Sequence, residues 1–164
     1  MRKNTLSEKF ILTGTVDKVS HLNPRQIQNH CLSNFSLETR IKNDQFWHLE
    51  NYNTIPYHQH IQWFQDYIRD HYKINYDRTP IPCTVNPWDL ENSPEISCLY
   101  CVSETVEPTY VIFKYDDGRN KHRLWKQEIK FNQFILFSSE LEHTITKNKN
   151  TGFLVNLSTH YQLL

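Results

Sequence analysis

Alanine is absent from this chain of 164 residues, and glycine occurs only three times. So few glycines exclude the loops that depend on them. No glycine-rich turn is present to cradle a phosphate. No G-x-S-x-G elbow presents a serine, so Ser138, Ser139 and His143 do not read as a hydrolase triad. Alanine and glycine have GC-rich codons, and lysine outnumbers arginine here, so the composition points to an AT-rich genome such as that of a phage or a reduced bacterium. Charge of one sign is lacking too. Eighteen basic and eighteen acidic residues sum to zero, so no basic field exists to hold a phosphate backbone and nucleic acid is not an expected partner. The longest strongly apolar run, Phe134-Ile135-Leu136-Phe137, is far short of a membrane span. Met1 to Thr5 is basic, but the apolar stretch of a secretion signal does not follow it. The expectation is a soluble protein, intracellular or carried within a virion.

Cysteine is present without the spacing of a zinc site. Of Cys31, Cys83, Cys98 and Cys101, only the last two form a C-x-x-C, and no second pair completes a ligand set. Their segment reads as a strand, where residues i and i+3 point to opposite faces. Four reduced thiols are expected.

Length fits one domain, residues 1–164, with about 1–76 supplying a strand and buttressing helices and about 77–164 a β core. Phe10 to Val19 reads as a strand. Asn23-Pro24-Arg25-Gln26 reads as a helix start, with Asn23 as cap and Pro24 in the first turn. The clearest helix is His58 to Tyr72, where Ile61, Phe64, Ile68 and Tyr72 recur at helical spacing; that stripe should lie on a sheet. His58 and His60 open this helix and do not face each other, so they read as surface residues. Beyond Tyr76 short β-type runs follow one another: Ile81–Trp88, Ile96–Val102, Thr109–Tyr115, His122–Phe131, Phe134–Phe137, His143–Lys147 and Phe153–Thr159. Thr109–Tyr115 alternates, with Val111, Phe113 and Tyr115 on one face. The fold class is α+β, mainly β: an antiparallel sandwich or barrel with helices on one face. Trp47, Trp63, Trp88 and Trp125 read as core or interface anchors, since no basic groove accompanies them.

Phe134-Ile135-Leu136-Phe137-Ser138-Ser139-Glu140-Leu141-Glu142-His143, followed by Thr144 to Asn148 and by Phe153-Leu154-Val155-Asn156-Leu157, resembles the end of the double-stranded β-helix of Fe(II)/2-oxoglutarate-dependent oxygenases, especially the small phage-encoded ones. Ile96 to Val102 resembles that family's "SGVYYL"-type strand, and the helix His58–Tyr72 resembles the one preceding its barrel. The likeness covers about Pro56 to Tyr161. It implies a double-stranded β-helix, or jelly roll, with supporting helices from the N-terminal half. It also implies His143 as an iron ligand, with the remaining ligands expected near Asn86 to Asn92.

No histidine occurs in that stretch, where Asp89 and Glu91 are the carboxylates. A facial triad needs two imidazoles and one carboxylate. The single His-x-Glu of the chain, His48-Leu49-Glu50, precedes the helix, out of the family's order. The family's carboxylate-clamping arginine on the last strand is missing as well, because Arg123 is the final arginine. Lys147 or Lys149 offers a point charge in its place, without the planar fork. Two readings follow. The first is a degenerate relative of the oxygenases with no resident cofactor. It acts as a non-catalytic binding or structural component of a phage particle and meets other protein subunits, as a homo-oligomer or within a viral assembly. The second is an active Fe(II)/2-oxoglutarate dioxygenase whose non-standard ligands come from His143, Asp89, Glu91, His48 and Glu50.

Overall fold

A computed structural model describes residues 1, 9–16, 23–34, 62–70, 79–83, 94–119, 121–151 and 154–164. These residues form strands β1 (Ile11–Thr15), β2 (Pro80–Cys83), β3 (Ile96–Cys101), β4 (Thr109–Asp116), β5 (His122–Ile129), β6 (Gln133–Ser138), β7 (Glu142–Ile145) and β8 (Asn156–Leu163). Helix α1 spans Pro24–Asn34, and residues 62–70 form a second helix, α2.

Local chemistry explains the turns. Asn23 caps α1: its side-chain Oδ1 accepts from the Gln26 amide at 3.3 Å, and its carbonyl accepts from the Ile27 amide at 3.2 Å. The β4–β5 hairpin turns at Gly118, whose φ of 80° suits a residue without a Cβ, while Asp116 Oδ1 accepts from the Gly118 amide at 2.8 Å. The β5–β6 turn uses Asn132 at φ 60°, a conformation asparagine tolerates better than most side chains.

The strands form two antiparallel sheets, a larger one in the order β1-β6-β3-β8-β2 and a smaller one in the order β5-β4-β7. The pairing is nested. Hairpin β4–β5 lies at the centre of the chain's path, β3 and β6 on either side of it pair with each other, and β2 pairs with β8. The middle strand β3 is buried along its whole length, because both of its faces are covered. One face, with Ile96, Cys98 and Tyr100, joins Phe134, Leu136, Leu157 and Tyr161 under the helical residues Ile27, Phe64 and Ile68. The other face, with Leu99 and Cys101, meets Val111, Phe113, Ile129, Ile135 and Phe137 between the sheets. The molecule is therefore mainly β, with helices on one face of the larger sheet.

Much of the expected pattern is present. Val111 and Phe113 point inward from β4, Phe64 and Ile68 are the buried face of α2, and Cys98 and Cys101 lie in separate apolar clusters on opposite faces of β3. Ile61 and Tyr72 of the helical stripe, and residues 84–88 of the expected strand Ile81–Trp88, lie outside the described residues. The last strand differs from expectation. It begins at Asn156 and runs to Leu163, past Thr159, because β2 and β3 both pair along it and Pro80 partners Leu163. No helix among the described residues is long and apolar enough to cross a membrane.

Candidate functional site

Register defines a cross-section at one end of the space between the sheets. Across the larger sheet the row reads Cys83, His160, Ser97, Phe137 and Ile11, each opposite the next. Across the smaller sheet, Phe113 stands between His143 and Trp125. Directly opposed residues of antiparallel strands share a face, and Phe113, Phe137 and Ile11 belong to the intersheet cluster. Both rows therefore point into the gap. The next row combines Leu99, Ile135 and Val111 of the intersheet cluster with Ser158, Thr13 and Gln127.

His143 sits against two rings. Its centroid lies 4.8 Å from Phe137 and 5.9 Å from Phe113, and those two phenylalanines pack edge-on at 4.9 Å. Its Nδ1 is 3.1 Å from the Leu141 carbonyl oxygen. A carbonyl only accepts, so Nδ1 is the donor in this contact. His160, on β8, lies 2.9 Å through Nδ1 from Ser97 Oγ, which is 2.8 Å from Ser139 Oγ. Burial lowers the His160 pKa, and the neighbouring His143 lowers it further. The neutral imidazole is thereby favoured.

Beside this row an open cleft of about 410 Å³ is lined by Lys9, Phe10, Ile11, Phe113, Tyr115, Asp116, Asp117, Trp125 and Leu141. Its floor is aromatic and aliphatic, and its charges sit at the rim. Asp117 is fully engaged: Arg119 and Arg123 reach it at 3.1 and 3.2 Å. Slight desolvation pushes its carboxyl up, but hydrogen bonds from both arginines and the neighbouring backbone outweigh that and hold its pKa below the ordinary carboxylate value.

Of the residues singled out from sequence, His143 is in this end of the gap. Lys147 and Lys149 are exposed and follow β7 at its other end, where Thr146 bonds Tyr110. Along the strand, Lys147 is roughly 13 Å from His143 at an ordinary extended rise. The structure does not bring these lysines to the histidine. Asp89, Glu91, His48 and Glu50 lie outside the described residues. Sequence reasoning missed His160. Its signal was the alternation of Asn156, Ser158, His160 and Gln162 with Leu157, Thr159, Tyr161 and Leu163, a polar stripe on a strand buried on its other face. Among the described residues, no three of His, Cys, Asp and Glu converge as a metal-holding group.

Comparison with protein-family models, curated proteins and solved structures finds no match for this chain.

Proposed function

We propose that the chain is a double-stranded β-helix related to the Fe(II)/2-oxoglutarate oxygenases, and that it works as a non-catalytic binding or structural protein, a component of a phage particle. The nested pairing of β4 with β5, β3 with β6 and β2 with β8 supports the fold, since a jelly roll is a long antiparallel hairpin wrapped around a barrel. The observation that carries the non-catalytic reading is the setting of His143: it is exposed on β7, and the rings of Phe113 and Phe137 lie against its imidazole. In the β4–β5 turn, Asp117 is held by two arginines.

The cofactors of the related enzymes fit these side chains poorly. The inward positions of β8 carry Asn156, Ser158, His160 and Gln162, with no guanidinium to clamp a dicarboxylate.

Contact with other protein subunits suits the exposed apolar residues. Leu124 is 70% exposed and Trp125 51%, on opposite faces of β5, which is the terminal strand of the smaller sheet among the described residues. A second reading, an active dioxygenase, draws on the neighbouring imidazoles of His143 and His160.

Anaerobic titration with Fe(II) and 2-oxoglutarate separates the two, with Mn(II) as a non-redox control and His143→Ala as the variant. The non-catalytic reading expects no stoichiometric binding at millimolar ligand. Stoichiometric binding that disappears in His143→Ala overturns it in favour of the enzyme.

A further inference from the structure

The cleft on the Trp125 side of Phe113 carries two charges without an ionic partner among the described residues. Among the described residues Lys9 has no anionic partner, and Asp116 has none that is cationic: its one hydrogen bond comes from the Gly118 amide. The two line the same cleft without pairing with each other. Lys9 precedes β1 on the larger sheet and Asp116 ends β4 on the smaller one. Between them lie Phe10, Phe113, Tyr115 and Trp125.

A ligand of a single charge satisfies one rim group and is repelled by the other. A neutral apolar ligand uses the floor and leaves both idle. A ligand carrying both charges beside an aromatic body uses every feature. Its ammonium meets Asp116 and the face of Trp125 or Tyr115. Its carboxylate meets Lys9, whose flexible stem brings the ammonium inward. The volume of about 410 Å³ is ample for a body of one ring.

We propose that this cleft binds a free aromatic amino acid, recognised as a zwitterion by Lys9 and Asp116 with its ring against Trp125 and Tyr115. The inference rests on reading this end of the molecule as a binding site. It adds the ligand's chemical class.

Calorimetry on the full chain tests it with four probes: L-phenylalanine, phenethylamine, 3-phenylpropionate and benzyl alcohol. Phenylalanine is expected to bind most tightly. Asp116→Asn keeps the acceptor for Gly118 and is expected to weaken phenylalanine and phenethylamine while sparing phenylpropionate. Lys9→Gln is expected to weaken phenylalanine and phenylpropionate while sparing phenethylamine. Exposed ion pairs set each effect at roughly two- to fivefold. Trp125→Ala weakens all four. Binding of benzyl alcohol as tight as that of phenylalanine, or charge variants without this cross-pattern, overturns the zwitterion while leaving a binding cleft. No binding of any probe at tens of millimolar overturns the cleft as a site altogether.

Discussion

Gly14 lies directly opposite Phe134 across the β1–β6 pair, and the phenylalanine ring covers the space a side chain at position 14 would need. A Cβ built on Gly14 meets Phe134 Cζ at 2.5 Å. The ring has little room to retreat, because Trp63, Phe64 and Tyr67 pack on it with centroids 5.5, 5.4 and 5.0 Å away. One glycine thus lets β1 close the edge of the larger sheet while α2 packs above. Gly14→Ala is expected to destabilise the fold by about 1–3 kcal/mol, the usual cost of forcing atoms into a filled core. Urea titration measures it. If Gly14→Ala matches the parent, Phe134 yields freely and the aromatic cluster is not rigid.

Asn132 joins three parts of the molecule. Its Oδ1 accepts from the hydroxyl of the buried Tyr100 at 2.7 Å, its Nδ2 donates to the Val16 carbonyl at 3.1 Å, and its own amide donates to the Cys101 carbonyl at 2.9 Å. The backbone there is left-handed, φ 60°. Asn132→Gly keeps that conformation and loses the side-chain bonds, stranding the Tyr100 hydroxyl at a cost of about 1–3 kcal/mol. Asn132→Ala adds roughly 1 kcal/mol of backbone strain. The expected order of thermal stability is parent, then Gly, then Ala. An Ala variant as stable as the Gly one removes the backbone part of this account.

The element plan was legible because β4 and α2 each bury one face, so Val111 with Phe113, and Phe64 with Ile68, repeat at the strand and helix periods. Strand β3 was legible as an apolar run, but the pattern cannot say that one face meets helices and the other a sheet. The end of β8 was obscured because Ser158, Thr159 and His160 are polar in sequence. Only the pairing with β2 and β3 shows that His160 faces Ser97 while Tyr161 is buried under the helices. The cleft was illegible for a related reason. Lys9 and Asp116 are 107 residues apart in the numbering, and packing of the two sheets brings them to one rim.

Three thiols differ in environment, and their reactivity should follow. Burial pushes the Cys98 thiol far above its ordinary pKa and raises that of Cys101. Cys83 is raised too, but it sits half-buried at the end of β2. Thiolate fraction and access both govern alkylation. Brief iodoacetamide treatment of the native protein, followed by peptide mass spectrometry, should modify Cys83 before Cys98 or Cys101. In urea the three should react alike. Early labelling of Cys98 or Cys101 contradicts the packing described for β3.

His160 gives the molecule a pH dependence whose sign is fixed. Burial first, and His143 second, depress its pKa in the folded state. The unfolded chain takes up the proton at about 6.5. Between that value and the depressed one the unfolded state binds more protons, so stability is full above about 6.5 and falls as the pH drops through this window. His160→Gln retains a polar partner for Ser97 and removes the titration. His143→Gln removes only the neighbour's repulsion. Urea midpoints measured from pH 7.5 to 5 should fall most steeply for the parent, less for His143→Gln and least for His160→Gln. Parallel curves for the parent and His160→Gln would mean that the imidazole is solvated in the fold, and that the row from Cys83 to Phe137 is open to water at His160.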